Sequence, residues 1–195
     1  MAPAPSTRNV AAAKPKVGGG VYRAPLGTVL PTDATADLDA AFEALGYVSD
    51  AGLVPTRDTS VDKIRAWGGD IVAALLTDES RSFEFVLLEV FSEAVQSFIH
   101  GEENVTATAA TASAGTQMSV ADKGGKPAQQ VLVFDMRHGD KRRRVVVPVA
   151  DPVVTGEEPM TDGSLSAYAV TAEAIKDDSG TRVYEYFEND DRAAG

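Results

Sequence analysis

The stretch QQVLVFDMRHGDKRRRVVVPVA, residues 129–150, constrains the fold more than any other part of the chain. Two runs rich in β-branched and apolar residues flank His138-Gly139-Asp140, a turn composition, so they read as two long strands of an antiparallel hairpin. Leu132, Phe134 and Met136 alternate with Val131, Val133, Asp135 and Arg137, which puts apolar residues on both faces. A sheet of that kind is covered once by its own core and again by a second layer or a neighbour. Pro148 has no N–H to give to a ladder, so the second strand is expected at a sheet edge, or with that position's amide facing outward.

The rest of the chain is punctuated in the same manner. Seventeen glycines and ten prolines in 195 residues point to many turns, and a composition of 44% hydrophobic and 24% charged residues is that of a globular protein. SLSAYAVTAEAI and TRVYEYFE are expected to form a second strand pair around Lys176–Gly180. RSFEFVLLE alternates Phe83, Phe85 and Leu87 against Glu84, a strand pattern. In IRAWGGDIVAALLTD, Gly68-Gly69 after the only tryptophan indicate a bulge or tight bend. Residues 55–62 are polar enough for an exposed loop, and GEENVTATAATASAGTQ for a long loop or edge region.

Two helices are expected. Leu38, Ala41, Phe42 and Leu45 recur at i, i+3, i+4 and i+7 after capping candidates Asp33 and Thr35, and Gly46 supplies a stop. Over Glu89–His100, Val90, Ala94, Val95 and Phe98 form one stripe, with Gly101 as the stop. No repeat of 20 to 50 residues is visible. The fold class is therefore mainly β (α+β), a β-sandwich or barrel with one or two flanking helices, made of a flexible N-terminal arm over residues 1–20 and a single domain over 21–195. Three prolines, alanines and the triplet Gly18–Gly20 leave that arm little to pack.

Charge divides the chain a little further on. The net charge is −11, yet the first 32 residues carry Arg8, Lys14, Lys16 and Arg23 and no acid, which leaves −15 for the remainder. An acidic body repels nucleic acid rather than binding it. With no cysteine there is no disulfide, thiolate metal site or thiol nucleophile. No apolar run is long enough to span a membrane, and no signal-peptide core is visible, so a soluble chain is expected.

Chemistry is scarce. No phosphate-loop, dinucleotide, zinc-protease, nucleophile-elbow or EF-hand pattern is present. His100 near a helix end and His138 in a turn read as solvated or locally bonded histidines, and Glu157-Glu158 and Asp190-Asp191 as solvated faces rather than a hydrolytic pair. The run Lys141-Arg142-Arg143-Arg144 admits three readings: an anion contact, the start of an exposed strand, or a contact with carboxylates of another copy. Neither enzyme activity nor a cofactor or metal is expected.

GGGVYRAPLGTVLPTD, LGYVSDAGL, IRAWGGDIV and FEFVLLEVFSEAVQSFIHGEENV, in that order, resemble the major tail tube protein of long flexible-tailed bacteriophages, especially those of actinobacteria. The resemblance is closest over residues 18 to about 105. It implies a β-sandwich subunit with a flanking helix, homo-hexameric rings stacked into a tube, and a conduit through which DNA passes without specific binding. It also implies tape-measure, tail terminator and baseplate proteins as partners, and residence in the virion tail after assembly in the host cytoplasm. Many members append an immunoglobulin-like domain, which is not expected in a sequence ending at Gly195. Inter-subunit contacts are expected from Arg8, Lys14, Lys16, Val17, Tyr22, Arg23, Leu38, Phe42, Lys141, Arg142, Arg143 and Arg144. The alternative from another class is a β-sandwich carbohydrate- or host-surface-binding module, for which one tryptophan and five tyrosines are few. A carboxylate hydrolase is weaker still.

Overall fold

The computed structural model describes residues 9–16, 19–158 and 160–191. The strands are β1 (Lys14–Pro15), β2 (Val21–Ala24), β3 (Glu43–Ala44), β4 (Val54–Arg65), β5 (Ile71–Leu87), β6 (Val105–Thr108), β7 (Gln117–Val120), β8 (Gln130–His138), β9 (Lys141–Val154), β10 (Tyr168–Ile175) and β11 (Tyr184–Glu188). One α-helix, α1 (Glu93–His100), and a short 3₁₀ turn at Glu102–Asn104 follow β5. The main sheet is antiparallel, in the order β3-β2-β8-β9-β10-β5-β4; β1 adds to β8 and β11 to β9, while β6 and β7 pair only with each other.

The sheet closes on itself. Beyond β3 the chain runs through Gly46 to lie against the end of β5: Leu88 N–H donates to Tyr47 C=O (3.0 Å), Ser49 N–H to Val86 C=O (2.9 Å), and Val48 bridges Leu87. Closure removes two of the sheet's edges. Inside, Phe83 stacks on Phe134 at 5.3 Å and Phe85 meets the same ring edge-on at 5.7 Å, with Leu87, Leu132, Val145, Val147 and Val170 completing the core. Helix α1 turns Val95, Phe98 and Ile99 into it. Each such fully buried side chain contributes about 1.5–3 kcal/mol.

The hairpin read from residues 129–150 is present, with Gly139 at φ +63° opening a two-residue turn, as a glycine-first hairpin requires. Pro148, however, is not on an edge. Strand β9 is flanked by β8 on one side and by β11 and then β10 on the other. Tyr184–Glu188 pair with Arg142–Val146, and Val170–Ile175 with Val149–Val154. Strands β10 and β11 thus run end to end along β9 instead of pairing with each other, and the intervening excursion at 176–183 falls opposite Val147-Pro148. A strand with no N–H at that point has a ladder bond missing, and there its neighbour departs. The β8 register also shifts here, between Gln130 and Leu132.

The first expected helix is absent. Residues 31–42 form turns, and Glu43–Ala44 a strand. Asp33 does cap, accepting the N–H groups of Thr35 (2.6 Å) and Ala36 (2.5 Å), and Asp39 accepts that of Ala41 (2.9 Å). Such side-chain turns compete with the helix ladder. Arg144 completes the diversion by donating to the carbonyls of Asp33 (3.1 Å) and Ala36 (2.8 Å), which a helix would have used itself. Leu45 is buried, but as an extended residue whose N–H donates to Val21 C=O; Leu38 and Phe42 are half-buried in the turns that precede it. The second helix exists but starts at Glu93, leaving Val90 in the preceding turn.

Candidate assembly surface

Residues 54–80 leave the barrel as a two-stranded blade. Strand β4, 12 residues long, pairs along its length with β5, of 17, and almost every position from Val54 to Glu79 is exposed. At about 3.3 Å per residue, β4 reaches roughly 40 Å. The polar segment 55–62 is exposed as expected but is strand, not loop: Thr56, Thr59 and Val61 supply β-branched residues whose signal the surrounding charges mask. Gly68 and Gly69, at φ +114° and +98°, make the tight bend, and Arg65 donates to Gly69 C=O at 2.8 Å.

Directly opposed residues share a face. Val61 faces Leu76, Lys63 faces Ala74, and Val72 continues that side; Asp62 faces Leu75, Ile64 faces Ala73, and Ile71 continues the other. The outer half of the blade is therefore apolar on both sides, and Val61, Ile64, Ile71, Val72, Leu75 and Leu76 are all exposed. Trp67 caps the tip, 107% exposed relative to its reference. An isolated two-stranded ribbon with two apolar faces is not self-sufficient in water.

At its base the blade is fastened to the barrel. Arg81 and Arg143 (2.8 Å) both pair with Glu185, and their guanidiniums lie over the rings of Phe83 (5.5 Å) and Phe187 (5.3 Å) respectively. Partial burial alone would raise the Glu185 carboxyl, but hydrogen bonds from the two arginines hold it below the usual glutamate range.

The cationic run meets carboxylates, and they belong to the same chain. Lys141 lies 4.0 Å from Asp190, Arg142 3.5 Å from Glu188, Arg143 pairs with Glu185, and Arg144 binds Asp135 bidentately at 2.6 and 2.9 Å. Only 3% exposed, Arg144 is an internal clamp and not the contact with another copy expected of it. Its position on the outer side of β9 is why: Val131, Val133, Asp135 and Val146 are also buried there, beneath the strap of residues 25–42 in which Pro31 and Ala34 are buried. Arg23 is likewise internal, paired with Glu43 (2.7 Å) and Glu102 (3.2 Å). Tyr22, on the other face of β2, is half-buried near Asp135 and Arg144; burial first, then Asp135, push its hydroxyl above the ordinary tyrosine range, against the pull of Arg144.

Residues 9–16 run along the end of β8, Lys14 beside Arg137 and Pro15 beside Met136. Ala12 N–H donates to His138 Nδ1 at 2.6 Å, and Lys141 Nζ to Val10 C=O at 3.3 Å. Lys14 and Lys16 are exposed on this segment; Arg8 and Val17 lie outside the described residues. Between the segment and β8, β9 and β11 is a groove of about 360 Å³.

The outer face of β10, β5 and the C-terminal half of β9 is uncovered and acidic. Glu173 stands between Asp151 and Ser82, Thr171 between Val153 and Glu84, and the row continues along the blade through Asp58 and Asp78. Lys126 pairs with Asp151 at 2.5 Å. Among the described residues no group of histidines and carboxylates is placed to hold a metal ion, and no helix is long and apolar enough to cross a membrane. The sequence reading did not single out this face or the blade; the missed signal was IVAALL, too apolar on both sides for a strand half in water.

No curated protein matches the chain. The family model described as phage tail tube protein matches residues 6–195, and the chain belongs to that family, whose members are structural components of the virion tail.

Proposed function

We propose that six copies of this chain close into a ring through the β4–β5 blade, and that rings stack into the conduit by which the genome leaves the virion. One observation carries the reading: a blade apolar on both faces is left in water by a chain whose family builds tubes from its own copies. A heterologous contact of this kind closes into rings or grows without end, depending on its rotation. The acidic face of β10, β5 and β9 lines the lumen, since cations there would hold phosphates at every ring. The basic N-terminal residues, Arg8, Lys14 and Lys16 among them, meet the acidic surface of the next ring. Exposed ion pairs are worth only about 0–1 kcal/mol each, but repetition around a ring multiplies them. Tape-measure, terminator and baseplate proteins are the partners of such a tube, which assembles in the host cytoplasm.

Electron microscopy of the purified protein tests this. Six-fold rings or tubes with an acidic inner wall are expected. Monomers that stay dispersed at high concentration and bind glycans would replace the reading with that of a surface-binding module.

A further inference from the structure

The blade's tip and the groove beside residues 9–13 fit one another. Strand β5 runs parallel to β9, because each is antiparallel to β10. Residues 71–81 therefore extend toward the end of the barrel where β9 begins, the end that also holds the β8–β9 turn, β11 and the groove. Two patches that meet side by side in a ring must lie at one height along its axis, and these two share an end of the molecule. The groove is walled by the small side chains of Ala11 and Ala12, by Met136, and by Phe187, which is 68% exposed; Arg142 and Glu188 lie along it. Apolar walls beside guanidiniums suit an indole, the best aromatic partner for a cation. Charge does not decide the fit: Asp62 and Asp70 at the tip are balanced by Lys63 and Arg65, and Arg137, Lys141, Arg142 and Arg143 around the groove lie beside carboxylates of their own chain, so shape, apolar contact and guanidinium stacking carry it.

We propose that Trp67 of one subunit seats in this groove of its lateral neighbour, making the tip the anchor that sets subunit spacing in the ring. The proposal rests on the tube reading above. It also assigns residues 9–13 a place in the interface as a wall of the neighbour's socket.

The chain suits its own test, because Trp67 is the only tryptophan and there is no cysteine. Tryptophan emission of the dispersed subunit should be that of a solvated indole, and should shift to shorter wavelength with several-fold weaker acrylamide quenching on assembly. In a variant carrying both Ala66→Cys and Ala12→Cys, oxidation of assembled material should give a covalent ladder that stops at ring size, whereas either single variant gives dimers at most. Trp67→Phe should assemble more tightly than Trp67→Ala, and Phe187→Ala should weaken the wild type more than it weakens Trp67→Ala. Tubes with an unshifted, fully quenchable tryptophan would overturn the proposal and leave the tube reading standing. A buried tryptophan without a ladder would overturn the groove as its socket, and a ladder running past ring size would overturn the lateral arrangement. Failure of the wild-type chain to form rings or tubes at all would remove the tube reading and this proposal together.

Discussion

Strands β8–β9 and strands β4–β5 are both antiparallel hairpins with apolar residues on the two faces, and they end in opposite situations. In β8–β9 the inner face packs Leu132, Phe134, Val145 and Val147 into the barrel, and the outer face buries Val131, Val133 and Val146 under the strap that Arg144 ties down. In β4–β5 the same kind of pattern, Val61, Ile64, Leu75 and Leu76, meets only water. Pattern alone states that two faces need cover; it does not state whose residues supply it. One hairpin is completed by folding and the other, on the proposed reading, by assembly, so substitutions in the first should act on the subunit and in the second on the polymer.

The largest effect should come from the core. Phe134→Ala removes the ring shared by Phe83 and Phe85, and should cost about 3–5 kcal/mol in the denaturant midpoint of the dispersed subunit. A loss below about 1 kcal/mol would break the contrast at its base. Next is the clamp: Arg144→Ala strands the buried Asp135 carboxylate and should cost about 3 kcal/mol, part of which returns when Asp135→Ala is added. A double variant no better than the single one would mean that strap loss, not the orphaned charge, dominates.

Leu76→Ser should leave the subunit's midpoint within about 0.5 kcal/mol, as for an exposed site, yet abolish tubes in the microscope. A destabilised subunit would show that the blade is part of the folding unit after all. The smallest effect is on acid stability. The Asp177 carboxyl accepts hydrogen bonds from the Ser179 hydroxyl, the Thr181 N–H and the Tyr184 hydroxyl, which together lower its pKa to about 2. A lowered native value contributes stability that is present above the unfolded pKa of about 3.9 and is lost as pH falls through the native one. Asp177→Ala should therefore reduce the difference in stability between pH 5 and pH 2 and leave assembly unchanged, measured by thermal unfolding at each pH.

Legibility in the sequence followed the range over which the deciding interactions act. The turn at Gly139-Asp140, the bend at Gly68-Gly69 and the stripe of α1 are local; the first two are where residue order alone puts them, and the stripe is too from Ala94 onward, its helix starting four residues later than the pattern indicates. The periodic pattern Leu38-Ala41-Phe42-Leu45 failed because Arg144, over a hundred residues away, takes the carbonyls that a helix needs. For Pro148 the local rule was sound, since the missing N–H does leave a gap, but the gap falls between two strands laid end to end along β9 and not at a sheet edge, which no local rule describes. Apolar character in IVAALL was visible from the start, whereas the polar partner strand that turns it into a blade is set by pairing across the bend.

Strand β5 does not stop where the blade meets the barrel: the same 17 residues carry Leu75 and Leu76 at one end and Phe83, Phe85 and Leu87 at the other. In mechanical terms it is a beam built into a wall. Tension applied at the tip pulls along the strand, and its ladder with β10, from Tyr168–Leu87 to Glu173–Ser82, is then loaded in shear, all bonds resisting together instead of parting one after another. If the blade is the joint between neighbours, as proposed, a tube made of such subunits should yield first at that joint and flex by sliding it while each barrel keeps its shape.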